Sequence, residues 1–266
     1  MNFIDDEQFF VEIANQFDEP SVAAIALTGS HASGEADGYS DVDLLRLLKP
    51  NAEVKRAPGS HLIHVRLVVV SDCSPQDVTG VFERPEIATV YVAGLRTACP
   101  LIDKEGEFHR LQERARNFRW TEQLQQRANA YASEQMAGWV EEVHKALGGL
   151  QRRDMGRLLS GLFGLTWGLT GVVRVQRGIL LRGDNAICDQ IDEEMGQDSD
   201  WVRLRRIAFG LATELSPAPT LEERTLAGLR LYILTARLLE DVLLAEHRAI
   251  VEHAVGLVDE ALAGYE

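Results

Sequence analysis

Residues 24–48, AIALTGSHASGEADGYSDVDLLRLL, restrict what this chain can fold into more than any other stretch. An apolar run of strand character stops at Gly29-Ser30, ten residues separate Ser30 from Asp41, and Asp41-Val42-Asp43 opens a second apolar run. Alternate side chains of a strand share a face, so Asp41 and Asp43 point the same way while Val42 and Leu44 point into a core. Two carboxylates that close repel each other and lose hydration, and the arrangement calls for a positive charge between them. Mg²⁺ takes such oxygen ligands and keeps waters and substrate phosphates for the rest of its shell. Gly29 lets the backbone approach a phosphate closely, and Ser30 adds a hydroxyl to the free amides of a helix start.

A chain of 266 residues suits one large domain or two ordinary ones. Apolar content of 45% and charged content of 26% are those of a soluble globular protein. The net charge of −14 opposes sequence-blind binding to nucleic acid and is compatible with a cationic small substrate. Cys73, Cys99 and Cys188 are widely spaced and odd in number, which excludes a disulfide framework or a zinc site. The opening MNFIDDEQFF lacks a basic region before an apolar core, and the apolar run 158–173 is shorter than the roughly 20 residues a span needs. A cytoplasmic protein without membrane or nucleic-acid partners is expected; its oligomeric state, a homodimer included, is left open.

The texture changes near residue 105. Before it, VAAIAL (22–27), VDLLRLL (42–48) and HLIHVRLVVV (61–70) read as strands, and IATVYVAGL (87–95) as a strand or a buried helix. DDEQFFVEIANQF reads as an amphipathic helix. After residue 105, apolar positions at three- and four-residue intervals predict helices over 106–118, 121–147, 153–177, 199–213, 220–245 and 246–264. SPAPT (216–220) marks a break, with Thr220 and Glu223 forming a capping box. The expected fold is α+β: a mixed sheet with flanking helices over 1–104, then an all-α bundle over 105–266. Trp139, Trp167 and Trp201 read as bundle core, RLRR (203–206) as a solvated face, Asp103 as a cap between domains and Asp184 as part of an RGDN turn.

The combination Leu27-Thr28-Gly29-Ser30, a short gap, then Ser40-Asp41-Val42-Asp43-Leu44 resembles the signature of the DNA polymerase β-like nucleotidyltransferase superfamily. The stretch 101–118 and the bundle after it are similar in layout to kanamycin nucleotidyltransferase-like small-molecule adenylyltransferases. The resemblance implies one or two Mg²⁺ ions held by Asp41 and Asp43, with Gly29, Ser30 and Ser40 on the nucleotide. It implies transfer of AMP from ATP to a hydroxyl of a small acceptor, an aminoglycoside-like antibiotic being the subclass. A nucleotide sensor or scaffold that has lost its chemistry, and an antitoxin-like enzyme that adenylylates a protein, are the alternatives.

One departure stands out. The superfamily carries a third carboxylate on the strand beside the Asp-x-Asp strand, yet HLIHVRLVVV contains no acid. Alternation along it, with Ile63, Val65, Leu67 and Val69 turned inward, places His64 and Arg66 on the site face as substitutes toward metal or phosphate. The Glu–x₃–Lys pair Glu141 and Lys145 shares one face of a helix. By resemblance, Glu141 is the base for the acceptor hydroxyl and Lys145 a phosphate contact.

Overall fold

The computed structural model describes residues 6–212 and 217–264. The chain divides into two compact units, Met1–Trp120 with Leu180–Ala186, and Thr121–Ile179 with Ile187–Glu266. The first is a five-stranded mixed sheet with flanking helices; the second is helical.

In the first unit, α1 (Asp6–Phe17) precedes β1 (Val22–Thr28), the short α2 (Gly29–Ser33) and β2 (Val42–Leu48). Then come β3 (Gly59–Ile63), β4 (Arg66–Cys73), α3 (Pro75–Glu83), α4 (Pro85–Thr97), β5 (Cys99–Asp103) and α5 (Glu107–Arg116). The sheet order is β3-β4-β2-β1-β5, with β2 and β4 parallel and every other pair antiparallel. Phe9, Ile13 and Phe17 of α1 pack on Ile25, Leu27, Val42, Leu44, Val68 and Val70. The opposite face holds Ala24, Ala26, Leu45 and Leu47 against α3, α4 and α5. Asp43 follows the odd positions of β2 and so belongs to this second face.

The segment 61–70 is a hairpin and not one strand. His64 and Val65 form its two-residue loop with φ of 48° and 61°, and Ile63 pairs with Arg66. Such a loop needs positive φ at both positions and is normally announced by Asn or Gly. A β-branched Val65 there stores roughly 1–3 kcal/mol of strain, and nothing in the residue types signals the turn. The ambiguous 87–95 lies within α4.

The expected boundary after residue 104 would cut α5 from what it packs on. Buried Gln112 donates to the carbonyl oxygens of Leu95 (3.3 Å) and Ala98 (2.7 Å), and Phe108 is fully buried in the sheet's second-face core. Asp103 does act as a cap, accepting from the backbone N–H of Phe108 and of His109, at 3.1 Å each.

The second unit comprises α6 (Glu122–Gly138), α7 (Val140–Arg152), α8 (Met155–Phe163), α9 (Leu169–Gln176), α10 (Ile187–Met195), α11 (Asp200–Phe209), α12 (Leu221–Leu238) and α13 (Ala245–Leu262). The helix expected over 121–147 breaks at Trp139. A Cβ on Gly164 would overlap the Glu142 stem and the Trp139 indole, and one on Gly168 would overlap the same indole. Those glycines bracket a π-helical turn that joins α8 to α9. The resulting helical segment, Met155–Gln176, is long and apolar enough to cross a membrane, and 67% of its apolar window is buried inside the protein. Trp201 is buried and donates to Thr235 Oγ1, whereas Trp167 is 45% exposed against the expected core position. Within RLRR, Arg205 is fully buried and bonded to Asp192 and Thr170, so that run is not a solvated face. The Thr220–Glu223 capping box forms; the 216–220 break and the 199–213 helix both run partly outside the described residues.

Arg46 on β2 is fully buried. Its Nε donates to Asp72 Oδ1 at 2.6 Å, and its Nη2 donates to Asp72 Oδ2 and to the Arg56 carbonyl at 3.0 Å each. Removing one partner of such a pair leaves an uncompensated buried charge. Asp72→Ala is expected to lower the unfolding free energy by about 3–5 kcal/mol in urea denaturation, and Arg46→Met by less, because it removes the charge as well. Equal losses for the two variants would show that the guanidinium's charge is not what needs the partner.

Candidate active site

The turn from β1 into α2 sets the geometry. Thr28 pairs with Asp43 across the antiparallel β1–β2 ladder, so Gly29 follows directly beside the Asp43 carboxylate. Gly29 has φ of 65°, a conformation L side chains avoid, and a Cβ there would overlap Asp43 Oδ2. Glycine is required twice over, by backbone and by contact. Gly29 and Ser30 open α2, whose N-cap Thr28 supplies no side-chain hydrogen bond, so the first amides stay unsatisfied by a cap.

Asp43 lies in β2 and Asp41 directly precedes the strand, near enough for its charge to act on Asp43. Burial pushes the Asp43 carboxyl up, the nearby negative charges of Asp41 and Asp184 push it further, and His31 opposes them. Neither Asp41 nor Asp43 makes a hydrogen bond or ion pair among the described residues. Ser40 is occupied: its hydroxyl accepts from the Asp37 N–H at 2.9 Å, which orders the loop leading to Asp41.

His64 and Arg66 are not on this face. His64 Nε2 lies 3.2 Å from Glu12 Oε1, and Arg66 Nη1 donates to Asp6 Oδ1 at 2.6 Å with its guanidinium 4.7 Å from the Phe9 ring. Both therefore serve the α1 side. Reading 61–70 as one strand inverted its faces, because it took Leu67 and Val69 as core. In the parallel β2–β4 register Asp43 pairs with Val69, and the residues flanking Asp43 on its own face of β4 are Leu67 and Val69. No acid comes from that face of β4, whose one acid, Asp72, is the register partner of Arg46.

An acid arrives from elsewhere. Leu180–Ala186 folds with the first unit: the Leu181 N–H donates to the Thr89 carbonyl at 2.8 Å, and Leu180 packs into the second-face core. Asp184 opens a short 3₁₀ turn and is near enough for its charge to act on Asp43. The RGDN spacing reads as an ordinary surface turn. The one hint was Ile179-Leu180-Leu181, an apolar run placed directly before it.

Glu141 and Lys145 lie together on α7 in the second unit. Lys145 Nζ is 2.9 Å from Glu141 Oε1 and 2.8 Å from Glu142 Oε1, and the hydrogen bonds it donates to Glu142 and Glu141 raise its pKa. Glu141 is 74% exposed and Glu142 15%.

A cavity of about 570 Å³ opens at the other end of the central strands, lined by Leu47, Lys49, Cys73, Pro75, Arg110 and Arg114. The carboxylate pair lies away from it, at the opposite end of β2.

The chain is similar to the solved structure of a nucleotidyltransferase-like protein from Exiguobacterium sibiricum 255-15. The two are 15% identical, the match covers 89% of this chain and 75% of that one, and the TM-score is 0.47. No curated protein matches the chain. Residues 10–97, which include Gly29, Ser30, Asp41 and Asp43, match the family model of the nucleotidyltransferase domain.

Proposed function

We propose that this protein transfers a nucleoside monophosphate, AMP from ATP, to a hydroxyl of a small-molecule acceptor. A cationic, aminoglycoside-like acceptor suits the net charge of −14. The observation that carries the reading is the seating of Asp43, half-buried and repelled by Asp41, against a glycine turn that leaves room for its carboxylate and nothing else. The donor set fits a hard divalent cation. Asp41 and Asp43 are oxygen ligands side by side, with no hydrogen bond among the described residues to satisfy them. They would hold Mg²⁺, which when bound supplies positive charge against the triphosphate and the departing pyrophosphate.

The remaining work falls to the chain's own groups. The free amides and hydroxyl at Gly29-Ser30 suit the nucleotide's phosphates. The acceptor oxygen forms a bond to the α-phosphorus, the bond to pyrophosphate breaks, and the hydroxyl proton leaves to a base. Glu141 is the base that the family resemblance suggests, but its carboxylate is engaged by the Lys145 ammonium.

Asp41→Asn and Asp43→Asn are each expected to abolish pyrophosphate release from ATP. The folded-state pKa of Asp43 is raised, so the unfolded chain binds fewer protons between the ordinary carboxylate pKa and the raised one. The cation-free protein therefore loses stability as pH rises through that window, and at neutral pH Asp43→Asn should melt no lower than wild type. A fall of several degrees in thermal denaturation would make the pair structural instead.

Mg²⁺ and ATP together should raise the melting temperature by more than the sum of their separate shifts, since each completes the other's binding shell. Nucleotide binding without pyrophosphate release would favour a sensor, and strictly additive shifts would remove the cation-bridged triphosphate.

A further inference from the structure

The cavity at the far end of the central strands takes no part in the reaction proposed above, and its lining is at odds with the rest of the chain. Its volume of about 570 Å³ falls within the range of roughly 300–1,000 Å³ that small-molecule sites occupy. Its floor is apolar and belongs to the second-face core: Ala23 and Leu47 from the sheet and Leu111 from α5 are buried there, with Val78 and Cys73 packed beside them. Its charge is of the opposite sign to the chain's. Against a net charge of −14, three cations, Lys49, Arg110 and Arg114, share this lining with two acids, Glu105 and Glu107.

One of those cations is matched within its own helix, Arg110 by Glu107 at 2.7 Å. Lys49 and Arg114 make no side-chain hydrogen bond or ion pair among the described residues, and exposed Glu105 is the one lining acid left without a partner there. Arg114 is unmatched but not loose. Its guanidinium carbon lies over the Phe82 ring, 4.0 Å from the centroid, and Phe82 is part of the second-face core. A guanidinium stacked on a ring has its face engaged and keeps its in-plane N–H donors, a fork that fits a carboxylate, sulfonate or phosphate. Lys49 follows the end of β2, where its backbone N–H donates to the Ser21 carbonyl at 2.9 Å and fixes the chain.

We propose that this cavity binds a small organic anion, its acidic head held by Arg114 and Lys49 and its apolar, ring-bearing body seated on Leu47 and Leu111. Each half of that ligand answers an observation. Two cations without acidic partners call for negative charge, and an inorganic ion would leave the apolar floor exposed to water. A neutral apolar body would cover the floor and leave the Arg114 fork unused. The cavity lies at the opposite end of β2 from Asp41 and Asp43, so this ligand and a nucleotide at the β1–α2 turn do not compete. The assignment holds whether or not the chain transfers a nucleotide.

The test titrates the full chain with two fluorescent probes, 8-anilinonaphthalene-1-sulfonate and N-phenyl-1-naphthylamine, which share one ring body and differ in the sulfonate. Wild type should bind the sulfonate saturably and roughly tenfold or more tighter than the neutral amine. Arg114→Gln should remove most of that preference while leaving the amine's affinity in place, Arg114→Lys should recover part of it, and Lys49→Gln should weaken the sulfonate alone. Arg237→Gln, which removes the same charge from an exposed position of α12, should change neither probe. Circular dichroism checks that each variant is folded, and Lys49→Gln decides the matter if Arg114→Gln is not. Wild type that binds both probes equally, or neither saturably, overturns the proposal. So does sulfonate affinity unchanged in the folded cavity variants, or lowered as much by Arg237→Gln. Displacement of the sulfonate by Mg²⁺ plus ATP overturns it too, by placing the probe at the β1–α2 turn.

Discussion

The buried pairing of Arg46 with Asp72 is the interaction on which the rest of the first unit depends. The two are register partners across parallel β2 and β4 and are joined by two charge-assisted hydrogen bonds, with Glu19 on the remaining side at 3.9 Å. A one-residue slip of β2 would break that pair and turn every side chain to the other face. Asp43 would then stand among Phe9, Ile13 and Leu27, where an unpaired carboxylate has neither water nor a cation. A hydrophobic pair of the same volume would hold the strands together as well, or better. It would not distinguish one register from its neighbours, and the position of the carboxylate pair is a matter of register.

Register delivers Asp43 to a place that costs free energy to occupy. Burial and two negative neighbours disfavour its ionised form, and Gly29 has surrendered its side chain to make room for it. A fold under selection for stability alone would replace Asp43 with a neutral residue and Gly29 with one that avoids positive φ. Local strain of this kind marks sites where the surrounding structure holds a group ready for a ligand of opposite charge.

The strand, turn and carboxylate pair around residues 22–48 were legible in the sequence because each is a local pattern: an apolar run, a Gly-Ser pair, alternation at Asp41 and Asp43. The helical character after residue 105 was legible for the same reason. The faces of 61–70 were not. Period-two alternation continues straight through His64 and Val65, and a turn built from those residues leaves no compositional trace. The set that packs against α1 is Val68 and Val70 and not Leu67 and Val69, so Arg66 goes with them to Asp6, and His64 in the turn goes to Glu12, both on the α1 side. The α5 boundary was missed because Gln112, a polar residue at a helical position, does its work through three-dimensional bonds to backbone carbonyls.

Asp184 was invisible for a different reason: it is separated from Asp43 by the whole first half of the helical region, and no pattern spans that distance. Its placement nonetheless answers a constraint the sheet imposes. An acid at Val69 would stand in register with Asp43 inside the ladder, adding a third carboxylate to a face where desolvation already penalises one. Leu67 and Val69 keep that position apolar. An acid on an exposed turn contributes its negative charge from the solvent side, without the desolvation cost of a place inside the ladder. The anchoring leucines supply the precision that a strand would otherwise give. The chain thereby sets a further negative charge within reach of Asp43 without burying another charge in the sheet.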